Sequence, residues 1–183
     1  MTTTAERSAP WQAGRSWRRF LVLLPVIALV LGAALWWWSH PRAFGGYGGQ
    51  VGAVTEVGET RFFGLGHPPR DLEILEVRPL VASDDADATV GAVVCVGAAT
   101  RGGIGVGDSE MASESCGSVR EAGGPLTPDD HLLIEVRGTA PGTVVVEGVA
   151  VTYRDGVQRG AEVLDVDIGV GVGLGIGIED FEW

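Results

Sequence analysis

The residues of this sequence with chemistry to offer are two cysteines, three histidines, one serine set between acids and a run of aspartates. Cys95 and Cys116 are the only cysteines. They lack C-x-x-C spacing and have no histidine close in sequence, so the expected use is a disulfide closing a loop of about twenty residues, not a metal knuckle. Gly107-Asp108-Ser109-Glu110 sets a serine between two carboxylates. A nucleophilic serine needs a base that is itself oriented by an acid. Past residue 40 only His67 and His131 offer that base, and Met111 stands where small residues should shape an oxyanion pocket. His131 follows Asp129 and Asp130 at the head of an apolar run and reads as a surface histidine beside a turn. No catalytic residue is assigned.

Metal and phosphate chemistry fare no better. Asp84, Asp85 and Asp87 share one turn, but it lacks the twelve-residue ligand spacing and the glycine of a calcium loop, so it reads as a solvated acidic turn. His67, His131, Cys95, Cys116 and Met111 supply the side-chain types of a copper site without the clustered order near one strand end. Gly103, Gly105 and Gly107 do not form G-x-G-x-x-G, and the chain contains no lysine to reach a phosphate. No metal ligand and no cofactor is assigned. The flexible loop from Ala98 to Ser115, inside the disulfide ring, is the preferred place for a partner contact.

A disulfide needs an oxidising compartment, and the N-terminal sequence offers the route to one. Phe20–Trp38 is free of charge. At the helical rise nineteen residues span about 29 Å, close to a bilayer's hydrocarbon core. Arg15, Arg18 and Arg19 precede it, which places the N-terminus in the cytoplasm and the remainder outside. Trp36, Trp37 and Trp38 fall where an aromatic belt lies. A cleaved leader is the rival, with Gly32-Ala33-Ala34 as its small residues. The length of the apolar run and the Leu-Trp-Trp-Trp start that cleavage would leave favour an uncleaved anchor. The expected organisation is a cytoplasmic tail (1–19), a transmembrane helix (20–38), a glycine-rich juxtamembrane spacer (39–57), a β-sandwich ectodomain (58–170) and a glycine-alternating acidic tail (171–183).

Charge separates these regions. Up to Arg42 there are five arginines and one acid; from Ala43 onward there are eight arginines against 23 acids, a net −15. So acidic a surface repels a phosphate backbone, which argues against nucleic-acid binding.

The outer region reads as strands. Leu72 and Ile74 alternate with polar residues, then the apolar parity switches at Leu75 and Val77, as at a bulge. Val90, Ala92, Val94 and Val96 share one face, with Cys95 on the other. Leu132, Ile134 and Val136 point inward, Glu135 and Arg137 outward. Thr139–Gly142 has the composition of a tight hairpin turn. Gly148 marks a second parity change, after which Val149, Val151 and Tyr153 share a face. Gly58–Gly66 contains a first strand candidate, Arg154–Gly156 is a turn, and the segment from Asp108 to Ala122 has room for one helical turn but reads as loop by its glycine and serines. Short strands divided by glycine and proline turns predict an all-β, antiparallel sandwich preceded by one transmembrane α-helix.

Thr139–Gly160 resembles the last hairpin of immunoglobulin-like ectodomains in single-pass membrane proteins of high-GC Gram-positive bacteria. Gly148–Arg154, Gly156 and Arg159 carry the likeness. The resemblance implies an immunoglobulin-like fold and an extracytoplasmic location, and no activity.

From Leu164 to Ile178 every second residue is aliphatic, and from Gly169 the residues between are glycine. The strict two-residue period predicts strand. Fifteen residues would reach about 50 Å, long for a compact sandwich, so the final strand is expected to occupy about 161–170. The rest is expected to bend over the domain, to pair with a partner strand, or to stay loose. The function expected is that of a membrane-anchored, extracytoplasmic binding domain, an accessory subunit of a membrane protein assembly, and not an enzyme. A structural envelope protein without a ligand, or an extracytoplasmic metal-binding protein, are the alternatives.

Overall fold

The computed structural model describes residues 14–39, 42–44, 48–98 and 105–174. The chain forms two compact units, Met1–His40 and Pro41–Trp183. The first contains α1 (Gly14–Ser39), with Pro25 inside it. Its side chains from Leu23 to Trp38 are exposed. Among the described residues no helix is long and apolar enough to cross a membrane.

The second unit is an all-β sandwich. Its strands are β1 (Gly48–Thr55), β2 (Thr60–Gly66), β3 (Leu72–Asp84), β4 (Thr89–Val96), β5 (Val106–Gly107), β6 (Ser118–Glu121), β7 (Gly124–Leu126), β8 (His131–Arg137), β9 (Gly142–Asp155) and β10 (Gln158–Val172), with a short helix α2 (Ser109–Ser115) between β5 and β6. One sheet has the order β1-β10-β9-β3-β7 and the other β5-β2-β8-β4-β6. β1 runs parallel to β10, and all other pairs are antiparallel.

The inward parities fill a single core between the sheets. Phe63, Leu65, Val94, Leu132, Ile134 and Val136 meet Ile74, Val144, Val146, Val149, Val151, Ile168 and Val170 there. Both expected parity changes occur. The ladder between β3 and β9 slips at Ile74/Glu76. That between β9 and β10 slips at Leu164/Ile168, opposite Gly148, whose φ of +136° lies where a side chain is strained. The turn at Arg154–Gly156 joins β9 to β10 as a hairpin.

Four sequence expectations are corrected. The spacer assigned to 39–57 contains β1, and the sandwich therefore begins before residue 58. Pairing to β10 rests chiefly on backbone groups, so a glycine-rich segment serves once an open edge is beside it, and Val51 and Ala53 face the core. The final strand is β10, residues 158–172, because the bulge opposite Gly148 lets a long strand bend with the sheet. Thr139–Gly142 is not a hairpin turn: it crosses between the sheets, since β8 belongs to one and β9 to the other. Residues 109–115, read as loop, are α2, whose first turn is capped by the Asp108 carboxylate accepting from the Met111 N–H. Beyond Leu174 the glycine-alternating tail lies outside the described residues.

The chain enters the sandwich through a clamp. Ala43 and Phe44 are buried, and both backbone N–H groups donate to the Glu162 carboxylate. The Tyr153 hydroxyl donates to the same carboxylate. The Phe44 ring meets Tyr153 edge-on with centroids 5.7 Å apart. Burial, then the bond to Glu162, push the Tyr153 phenol well above its ordinary pKa. Tyr153 lies across Gly160, where a side-chain carbon would come within 2.4 Å of the phenol ring.

Candidate functional site

Two sequence-distant histidines meet at the end of the sandwich where β2 stops and β8 starts. Gly66 closes β2 opposite Leu132 with φ +105°, and His67-Pro68-Pro69 follows. The two prolines fix the backbone after His67. His131 is the first residue of β8 and pairs in register with Cys95 of β4. The turn before it is organised by Asp130, whose carboxylate accepts from the Thr127 N–H, the Thr127 hydroxyl and the Gly97 N–H. Burial works to raise the Asp130 pKa; the Thr127 and Gly97 donors outweigh it and hold the group ionised below the ordinary carboxylate value.

The imidazole rings of His67 and His131 stand 5.2 Å apart, centre to centre, with their planes tilted by 48°. His131 is only 2 % exposed, and its Nδ1 is buried with no hydrogen-bond partner among the described residues. Burial first, then the neighbouring His67, lower its pKa, and Asp130 only partly opposes them. At neutral pH the ring is therefore uncharged, with a lone pair to give. His67, His131, Pro68, Pro69, Pro128 and Asp129 line a pocket of about 290 Å³.

Cys95 and Cys116 are joined in a disulfide. It ties the end of α2, where Cys116 is the C-cap, to β4. Beneath it Phe62, Val93, Leu133 and Ala112 form a second, smaller apolar cluster on the outer side of the β2-β8-β4 sheet.

No known protein family and no curated protein matches the chain.

The other sequence candidates are dispersed. Ser109 opens α2 and lies in a different element from either histidine, while Asp108 is engaged in capping that helix and in an ion pair with Arg61 at 3.7 Å. The Asp84 carboxylate accepts from the Ala86 and Ala88 N–H groups of its own turn. Met111 sits on α2 with its sulfur over Gly107, and the cysteines are joined in the disulfide, so neither stands beside the histidines as a copper ligand. Of the segment from Ala98 to Ser115, residues 99–104 and with them Gly103 lie outside the described residues, and 105–115 is largely β5 and α2. What residue-by-residue reading missed is the His67–His131 contact. Its only signal is positional: one histidine ends the loop side of β2, the other begins β8, and they become neighbours once those strands pair.

Proposed function

We propose that the chain is a membrane-anchored, extracytoplasmic binding module of immunoglobulin-like type that serves as an accessory subunit of a membrane protein assembly. The observation that carries this reading is the disulfide between Cys95 and Cys116, which persists in an oxidising compartment, in a chain whose uncharged run from Phe20 to Trp38 follows a cluster of arginines. The facing triplets β2-β8-β4 and β10-β9-β3 follow the strand order B-E-D and G-F-C of immunoglobulin-like sandwiches, and the likeness of Gly148–Arg154 points the same way. The segment from Gly97 to Asp130, which carries β5, α2, β6, β7 and one half of the disulfide, is then an insertion between the fourth and fifth strands of that plan.

Binding in preference to catalysis is supported by what the polar groups are engaged in. Asp108, Asp130, Asp84 and Glu162 each satisfy backbone donors of their own fold. Protease added to the outer side of intact membranes is expected to remove the sandwich and spare the N-terminus. Affinity isolation from native membranes is expected to return one stoichiometric membrane protein. A sandwich protected while the N-terminus is cut would reverse the orientation, and recovery of the protein alone would leave a tethered envelope domain instead of a subunit.

A further inference from the structure

We propose that His67 and His131 form an open site for a divalent transition-metal ion of the copper and zinc class. The ring spacing is the first argument. Given a metal–nitrogen bond of roughly 2.1 Å, an imidazole bound through one nitrogen places the metal about 3.2 Å from its ring centre. Two such rings at a tetrahedral angle then have centres about 5.2 Å apart. The measured separation is 5.2 Å. Their 48° tilt is neither the parallel offset nor the perpendicular edge contact that rings adopt when they merely pack.

The surroundings fit the same use. Both rings line one pocket of about 290 Å³, room for an ion with its waters. Pro68 and Pro69 beside His67, and Pro128 before His131, stiffen the backbone that carries both rings, so little ordering remains to be done on binding. The buried Nδ1 of His131 has no partner among the described residues, and a buried polar atom without protein company calls for water or an ion nearby. Among the described residues no three ligating side chains converge, so the described residues supply two ligands and leave the remaining positions to water. Asp129, on the pocket wall, adds negative charge without bonding. Imidazole donors select Cu²⁺ over Zn²⁺ and disfavour Ca²⁺ and Mg²⁺, which seek oxygen. The proposal does not depend on where the chain meets a membrane.

Full-length protein, solubilised in detergent and stripped with chelator, is titrated separately with Cu²⁺, Zn²⁺ and Ca²⁺. The expected result is one bound Cu²⁺ whose electron paramagnetic resonance shows coupling to two imidazole nitrogens, weaker binding of Zn²⁺, and no competition by Ca²⁺. His67→Gln, at a half-exposed ring that leaves the core untouched, is expected to weaken Cu²⁺ binding by about tenfold or more, at least the loss that follows removal of a second-shell partner. His40→Gln is expected to leave it unchanged. Near-ultraviolet circular dichroism verifies that each variant is folded. Copper bound with undiminished affinity by folded His67→Gln, or a copper signal lacking imidazole nitrogen, overturns the proposal.

Discussion

The two sheets differ most on the sides that face away from the shared core. The outer side of the β2-β8-β4 sheet is roofed: α2 and the disulfide cover Phe62, Val93 and Leu133, and Leu133 is as fully buried as Leu132 and Ile134 on either side of it. The outer side of the β10-β9-β3 sheet carries Val163 at 64 % exposure, exposed Asp165 and Glu147, half-buried Asp167 and the glycines of β10. A strand buried on both faces loses its alternation, and a strand buried on one face keeps it. His131–Arg137 shows the first pattern in three successive apolar residues; Leu164–Val172 keeps the second in residue type, with Asp165 exposed and Asp167 half-buried, although the small Gly169 and Gly171 are themselves buried.

If that contrast is right, substitutions should rank by how many apolar neighbours they touch. Ile134→Ala removes a side chain between the sheets and is expected to cost about 2–5 kcal/mol, read as a fall in the thermal midpoint. A midpoint unchanged within error would mean that Ile134 is packed neither between the sheets nor under the roof. Next in size is the Cys95→Ser/Cys116→Ser pair. A cross-link over 21 residues contributes on the order of 3 kcal/mol, chiefly through the unfolded chain. The loss should be regional, with amide exchange accelerating in α2 and β6 well before β9 and β10. Equal acceleration in both sheets would show that the roof is not a separate cluster. The smallest effect is expected at Val163→Thr, within about 0.5 kcal/mol by denaturant midpoint, because the side chain already faces water. A loss several times larger would reveal a cover over the bare face.

How much of this was legible in the sequence follows from which forces are local. The alternation of β4 and β8, the bulges near Leu75 and Gly148, and the hairpin at Arg154–Gly156 were readable because side-chain parity and turn chemistry are properties of short stretches. The disulfide was readable from the count and spacing of the cysteines together with the compartment expected from the N-terminal sequence. β1 was not, because a parallel edge strand is held by backbone bonds to a segment more than a hundred residues away, and its glycines gave no pattern. α2 was missed because its stability comes from the Asp108 cap and from packing under the disulfide, both weaker signals than the serines and glycines around it. The crossing at Thr139–Gly142 has the composition of a hairpin turn, and only the partners of β8 and β9 tell the two apart. Of the candidate site, the residue types were visible and their proximity was not, since His67 and His131 meet only through strand pairing.

The parallel pairing of β1 with β10 has a mechanical consequence. Pull on the chain at Ala43, ahead of β1, and just after Val172, where β10 ends, as an anchor at one end and a partner at the other would do. The load then runs along two parallel strands in opposite directions. Eight register pairs, from Gly48–Asp165 to Thr55–Val172, lie across that line of force. They are loaded in shear, all together, whereas a hairpin pulled from its open end would unzip one bond at a time. Glu162, gripping Ala43 and Phe44 just ahead of β1, stands as the first catch on the same line. The edge strand that looked like slack in the sequence is the part of the sandwich that such a pull would load first.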